Sequence, residues 1–392
     1  MRRAAFAPRA AAATHAVVTS TAVPLLLGAC WMGCALLPSP RVEMVSDGHY
    51  VMGTLLEITL GEVSERTAAK SFQELFAHAA RLEDLMSRYD SQSQISRLNR
   101  AAGQGPQQVD PALADLLQRS VRFSELTRGT FDVTVGPLVQ LWIDAAVAGT
   151  PPSAAEIAER RARVGADAIR IHSDGSVELD RPGVVVDLGG IAKGYALDGM
   201  VPLLHARNIE RALLSFGQSS TLALGVPPNA DGWRLLARGP NEEVLGVLTL
   251  RDQALSVSSS FGHSLEIGGV RYGHVIDPRD GRPLSSPLEA LVVAPDATLA
   301  EALSKALLIL DPDEGLALVA DLPGCAGMLV DGAGGVRTTA EWQRETHFEP
   351  GVPAGLAGGP EPQAEGATFR FQRYGGQGTL VQRVQRGPAP RG

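Results

Sequence analysis

Apolar side chains recur along this chain at two different periods. Leu56, Ile58 and Leu60 alternate with Glu57 and Thr59, the period of a strand with one face on a core. Ala68, Phe72, Leu75, Phe76, Ala79, Leu82 and Met86 then recur at helical spacing, which predicts a helix laying one face on a sheet. Ser153 and Glu156 form a capping-box pattern, so a helix is expected from there to Val164, with Gly165 as its stop. Two hairpins are expected: one joins 168–171 to 177–179 through Asp174-Gly175, and the other spans 265–272 and turns at Gly268-Gly269. Further short strands are expected at 184–186, 213–215, 233–237, 246–250 and 291–293, and a helix at 299–310. Helices mix with hairpin-linked strands without regular βαβ repetition or internal repeats. The expected fold class is therefore α+β, with mixed, mainly antiparallel sheets and packed helices.

Ordered structure is expected to begin near Tyr50. Residues 31–48, with Pro38 and Pro40, read as a tether, and 49–350 as the folded domain. The tail 351–392 is rich in Gly, Pro and Gln, a composition expected to be disordered. The chain is 44% hydrophobic and 20% charged, which suits a globular protein with a sizeable core. A net charge of -8 and a pI of about 5.6 give no electrostatic reason to expect a nucleic-acid partner. An anionic ligand remains compatible, provided backbone amides and a few cations converge locally. The three cysteines, Cys30, Cys34 and Cys325, form no CxxC pair, so a zinc or redox site has little support. Cys325 lies in an apolar run and reads as a small core residue.

Residues 1–30 read as an export signal. Arg2, Arg3 and Arg9 precede an apolar run too short to span a bilayer comfortably, and the run ends in Leu27-Gly28-Ala29-Cys30. That ending resembles the bacterial lipoprotein box, in which the cysteine takes a lipid and becomes the new N-terminus. The expectation is a protein lipid-anchored through Cys30 at the bacterial inner membrane, on its periplasmic or outer side. The Arg2-Arg3 pair lacks the rest of a twin-arginine motif.

Three segments carry candidate chemistry. At 184–198 a β-branched strand ends in Asp187, a turn follows at Gly189-Gly190, and a helix then carries Lys193. Strand, glycine turn and helix start together make a phosphate cradle, although a tight structural turn would explain the glycines equally well. Thr130, Phe131 and Asp132 sit in a run bracketed by Gly129 and Gly136. His274 leaves a strand just before Asp277-Pro278; its catalytic reading depends on the other clusters converging on it.

In order and spacing these segments, with Met52-Gly53-Thr54, Met86-Ser87-Arg88-Tyr89, 256–260 and 300–306, resemble the FAD:protein FMN transferases, the ApbE-type proteins. The resemblance runs from about Tyr50 to Glu341. It implies FAD as substrate, a divalent cation such as Mg2+, and transfer of FMN to a threonine or serine hydroxyl of an exported redox protein, with AMP leaving. It further implies that Met52 and Tyr89 line the adenine or flavin pocket and that Thr130, Phe131 and Asp132 contact FAD. Asp187 and Lys193 would hold its polar parts, Ile276 would pack near it, and His274 would take the acceptor's proton.

The resemblance breaks in two places. The family's metal helix reads roughly Ala-Asp-Ala-Leu-x-Thr-Ala; here it is Ala300-Glu301-Ala302-Leu303-Ser304-Lys305-Ala306. Positions 301 and 305 share a helix face at ion-pair spacing, and an ammonium cannot ligate magnesium. Lys305 could take the metal's place, the metal could persist on Glu301, Ser304 and the Gly190 carbonyl, or the site could bind FAD without catalysis. Many relatives carry Asn-x-Gly-Gly where this chain has Ser215-Phe216-Gly217-Gln218. The alternatives to transfer are therefore an FAD pyrophosphatase giving FMN and AMP, or a catalytically silent FAD-binding lipoprotein.

Overall fold

A computed structural model describes residues 41–351 and 368–369. Strands β1 (Arg41–Val51) and β2 (Thr54–Ser64) form an antiparallel hairpin whose turn residues, Met52 and Gly53, have φ of 53° and 76°. Two successive left-handed residues give the turn that follows strand twist. The chain thus enters the sheet at Arg41, ahead of the expected start near Tyr50, and 41–48 belong to a strand and not to a tether. β1 escaped the pattern reading because it is an edge strand, exposed from Ser46 to Tyr50 and placed by its pairing with β2.

Helix α1 (Glu65–Met86) is capped by Ser64, whose side chain accepts from the Thr67 amide, and buries the predicted face from Ala68 to Met86. Short α2 (Gln94–Arg100) precedes α3 (Pro111–Leu126), which opens with Asp110 as cap and Pro111 in the first turn. α4 (Gly136–Ala148) follows. In α5 (Ala154–Arg161) both bonds of the Ser153/Glu156 capping box form, but the helix ends three residues before Val164. The hairpin of β3 (Ile169–Ile171) and β4 (Val177–Leu179) forms as expected. The 184–186 segment does not become a full strand; it makes one parallel bridge, Val185 to Val135. The Asn99 side chain takes the place of a neighbouring strand, donating to the Val186 carbonyl (2.9 Å) and accepting from its amide (2.8 Å).

After α6 (Ala192–His205) come β5 (Ala212–Phe216), β6 (Ser220–Leu224), β7 (Trp233–Arg238), β8 (Val244–Leu250) and β9 (Gln253–Ser259). The hairpin of β10 (Ser264–Ile267) and β11 (Val270–Gly273) turns at Gly268-Gly269, both at positive φ. The chain continues through β12 (Leu288–Ala294), α7 (Ala297–Ile309), α8 (Pro312–Ala320), β13 (Ala326–Asp331), β14 (Val336–Thr338), α9 (Trp342–Thr346), β15 (Glu349–Pro350) and β16 (Thr368–Phe369). Beyond Gly351 and β16, the predicted tail lies outside the described residues, as does the export segment with Cys30.

Eight strands form one antiparallel sheet in the order β1-β2-β5-β6-β9-β12-β13-β14. Its central strands are buried on both faces. Ala290, Val292 and Ala294 of β12 join the core under α1, α6 and α7, while Leu291 and Val293 join a second core beneath the smaller sheet β15-β8-β7-β16. This explains why these strands read as continuous apolar runs. A third cluster sets Leu138, Trp142 and Ile157 against Ile267 and Ile276. Cys325 is buried, and desolvation pushes its thiol up to about 12, in keeping with a core role.

One helix crossing decides the geometry of everything that follows. A Cβ on Gly194 of α6 would lie 2.5 Å from the Ala297 carbonyl oxygen at the start of α7, so only glycine lets the backbones meet. One turn later Asp198 accepts from the Ala297 amide (2.7 Å), the Thr298 amide (2.9 Å) and the Thr298 hydroxyl. Asp296 caps the same helix end through the Leu299 amide (2.8 Å). Two carboxylates therefore satisfy the open amides of α7 and complement its dipole. Desolvation, with the like charge of Asp296 adding, raises Asp198 to about 6 against the opposing hydrogen bonds.

Gly194→Ala is expected to lose about 1–3 kcal/mol in urea unfolding, the range for overpacking. Gly48→Ala is the control: its added methyl meets its nearest neighbour at 3.5 Å, and it should stay within about 0.5 kcal/mol of wild type. Asp198 has a pH signature. Folding raises its pKa from an ordinary 3.8 to about 6, so its titration favours the fold below pH 3.8 and that contribution is lost as pH rises through 6. The stability of wild type relative to Asp198→Asn should therefore fall by a few kcal/mol between about pH 4 and pH 7, at about 1.4 kcal/mol for each tenfold difference in proton affinity between the folded and unfolded chain. A difference that is flat or rises with pH would exclude a desolvated Asp198.

Candidate active site

The α6–α7 crossing puts Lys193 on one helix beside Glu301 and Lys305 on the other. Lys193 Nζ donates to Ser219 Oγ, and Ser220 Oγ donates to Glu301 Oε1. Both serines come from the turn between β5 and β6 and the first residue of β6. Glu301 is 1% exposed, and its Oε2 has no hydrogen-bond partner among the described residues. The ion pair expected from the 301/305 spacing does not close: Glu301 turns to Ser220, and the Lys305 ammonium has no hydrogen-bond or ion-pair partner among the described residues. Lys305 keeps some contact with solvent. Desolvation nevertheless lowers its pKa to about 8, with Lys193 adding to the shift and Glu301 opposing it.

Ser304 faces the sheet. Its hydroxyl lies 2.9 Å from Ser256 Oγ and 2.8 Å from Ser258 Oγ, and donates to the Glu301 carbonyl at 3.0 Å. Ser256 and Ser258 are two apart on β9, so both point at α7. The sequence carries this signal as polar residues at period two on an otherwise buried strand, but the partner helix cannot be read from it.

The 187–190 turn is held from two sides. Asp187 Oδ2 accepts from Arg88 Nη1 at 2.6 Å, with both side chains largely buried, and Asp187 Oδ1 accepts from the Gly189 amide at 2.9 Å. The Asp187 amide donates to the Val133 carbonyl (2.7 Å). Gly190 lies against Lys305: a Cβ there would be 3.5 Å from Lys305 Cε. α6 starts without a side-chain cap; the Ile191 and Ala192 amides turn back to the Leu188 carbonyl (3.0 and 2.9 Å).

His274 stands at the rim of this cluster, on the loop after β11. Its amide donates to the Ser260 carbonyl (3.2 Å), and its Nδ1 accepts from the His263 amide at 3.3 Å. The ring reaches solvent, yet the chain around it withdraws it enough from bulk water to lower its pKa to about 4. Desolvation is the main cause, followed by the charges of His263 and, more weakly, Lys305. The imidazole is neutral at neutral pH, as a base requires.

The other predicted residues are placed less uniformly. Met52 occupies the left-handed hairpin turn, with its amide on Glu83 Oε1 (2.9 Å); the adjacent Thr54 lies against Gly217, so this turn borders the 217–220 segment. Tyr89 is 87% exposed with the Arg88 guanidinium 5.0 Å from its ring centre, free to cover a ligand. Thr130, Phe131 and Asp132 have inward tasks. The Thr130 hydroxyl donates to the Thr127 carbonyl, and Phe131 packs edge-on to Phe123. Asp132 accepts from the Thr134 amide and hydroxyl, the Ala166 amide and Ser124. Ile276 is buried in the third core cluster. These residues support the 187 turn through the Val133 contact, and none of their hydroxyl or carboxylate oxygens is left uncommitted. Sequence reasoning assigned no role to Arg88, Asn99, Ser219, Ser220 or Asp198, all of which position the site.

The residues proposed for a divalent cation do not fit one. Of Gly190, Glu301, Ser304 and Lys305, Ser304 is committed to the β9 serines, and the Lys305 chain runs beside Gly190 and brings positive charge where the cation would sit. That leaves a single carboxylate and a carbonyl, and the Lys305 ammonium beside them repels a cation at the place where substrate phosphates and water would have to complete its shell.

A protein of Klebsiella pneumoniae (strain 342) named FAD:protein FMN transferase is 30% identical over 329 residues, covering 80% of this chain and 93% of its own length. One of the same name from Escherichia coli (strain K12) is 28% identical over 312 residues, covering 76% and 88%. The crystal structure of the ApbE protein of Thermotoga maritima MSB8 superposes with a TM-score of 0.69 at 26% identity, over 77% of this chain and 98% of that one. The sequence pattern of the ApbE family matches residues 52–329, and this chain belongs to that family.

Proposed function

We propose that this protein transfers FMN from FAD to a threonine or serine hydroxyl of an exported redox protein, with release of AMP. The observation that carries the reading is the nearness of a neutral imidazole, two ammonium groups and a capless helix start: the Lys305 charge acts on His274, the Lys193 charge acts on Lys305, and Lys193 lies in the first turn of α6. In the reaction the acceptor oxygen bonds to the FMN-side phosphorus, the bond from that phosphorus to the bridging oxygen breaks, and AMP leaves with that oxygen. The acceptor's proton passes to His274. Lys193 and the first turn of α6 hold the pyrophosphate and offset the charge that develops on it. The Arg88–Asp187 pair keeps the glycine turn at the distance this requires, and Tyr89 is free to close over a ring of the dinucleotide.

The bond from the His263 amide to Nδ1 fixes the imidazole proton on Nε2. His274 can therefore accept a proton only when that amide moves aside. The bond is long, and displacing it is a small cost for an arriving acceptor peptide. The same reading includes export, with a lipid on Cys30 holding the protein at the inner membrane near its acceptor; the Leu27-Gly28-Ala29-Cys30 box supports it.

His274→Ala should retain FAD binding and lose transfer by about 10²- to 10⁴-fold, the usual contribution of a general base. The assay is AMP release together with the mass of a peptide carrying an Asp-Gly-Ser-Gly-Ala-Thr sequence. Loss of FAD binding in step with turnover would point instead to a binding role. Because the ring titrates at about 4, its base form persists to well below pH 6, and kcat/KM should show no inflection near the ordinary histidine value of about 6.5. A clear inflection there, absent from His274→Ala, would refute a desolvated base.

A further inference from the structure

We propose that Lys305, together with Lys193, forms a two-ammonium site for the FAD pyrophosphate, so that this protein works without a divalent cation. The proposal rests on the transferase reading above and concerns how that pocket handles phosphate charge. Lys305 has a full side chain packed beside the glycine turn, in contact distance of Gly190. Its ammonium is not spent on Glu301, four residues earlier on the same face, because that carboxylate turns to Ser220. Lys193, from the facing helix, reaches Ser219 next to that same serine. Two cations from two helices are thus held at one spot by the α6–α7 crossing, with a single buried carboxylate between them and the sheet.

Like charges held together repel, and an anion with several oxygens placed between them relieves the repulsion and is bound in return. A pyrophosphate fits that requirement, since each ammonium offers up to three donors to oxygens on adjacent phosphorus atoms. Glu301 has a matching incompleteness. One of its oxygens is buried with no partner among the described residues, and a buried carboxylate oxygen left so is costly unless a donor arrives. When ligand draws Lys305 inward, the ammonium comes within reach of that oxygen, so Glu301 aims Lys305 and limits the net positive charge. Ser304, which would otherwise be a cation ligand, is turned to Ser256 and Ser258.

The test uses the full-length protein with FAD and the acceptor peptide, in excess EDTA and in millimolar MgCl2. AMP release and peptide mass are followed, and FAD binding is read by flavin fluorescence. Wild type should turn over at rates within about twofold in the two conditions, and FAD-loaded protein should show no tight Mn2+ binding by paramagnetic resonance. Lys305→Met should weaken FAD binding at least about 10-fold and lower turnover about 100-fold or more in EDTA, the scale of losing one charge-stabilising group. Lys305→Arg should recover part of both, and thermal unfolding should show each variant folded. Glu301→Asp with Lys305→Thr should restore turnover only when magnesium is present. Wild-type turnover that vanishes in EDTA and returns with magnesium overturns the inference while leaving the transferase reading intact. So does an unchanged EDTA rate in Lys305→Met. Absence of AMP from wild type in both conditions overturns the transferase reading and this inference with it.

Discussion

The close crossing of α6 and α7 is the constraint on which the site depends. Two helices that meet with backbone against backbone need a residue without a side chain at the contact, and Gly194 supplies it. They also need the amides at the start of α7 satisfied, and Asp198 reaches across to do so. Glycine and aspartate are four apart on α6, so both act on the same face. With the crossing fixed, Lys193 precedes the contact by one residue while Glu301 and Lys305 lie one and two turns into α7. Neither helix alone assembles these groups.

Beneath α7 the large sheet is polar where it would otherwise be apolar. Ser220, Ser256 and Ser258 are buried on strands that also send Leu222 and Ala254 into the core. Burying hydroxyls is tolerated because each finds a partner on α7, either Glu301 or Ser304. The serine layer orients the helix about its axis, and this orientation turns Ser304 into the protein and Lys305 toward the glycine turn. The Lys305 side chain is thereby placed beside Gly190 by its surroundings, with no change to the fold around it.

The loop that carries Asp187 shows a different economy. It lacks a strand partner on one side, and Asn99 supplies both halves of a backbone pair through its amide. The run from Thr130 to Asp132 then backs it from behind. A reading from motif order assigns those three residues to ligand contact, because their spacing relative to the glycine turn is the family's. In the folded protein the Thr130 hydroxyl and the Asp132 carboxylate are engaged with Ser124, Thr127, Thr134 and Ala166, which holds this run rigid beside the loop.

The sequence by itself determined the local elements whose signals are short in range. These are the capping box at Ser153, the glycine turn at 268–269, the helical face of α1, and the two-period alternation that marks α+β. It also determined the chemistry available, including the Lys305 departure, because residue type and order are visible without a structure. It missed β1, since an exposed edge strand is specified by its partner and not by its own pattern, and it overestimated 184–186, where a side chain replaces a strand. The tertiary structure decided the pairings over long separations: Ser220 with Glu301, Asp198 with Thr298, Arg88 with Asp187. The physical reason is that a hydrogen bond between residues about a hundred positions apart leaves no periodicity in the chain; it exists only once burial has brought two elements together and each polar group must find its partner there.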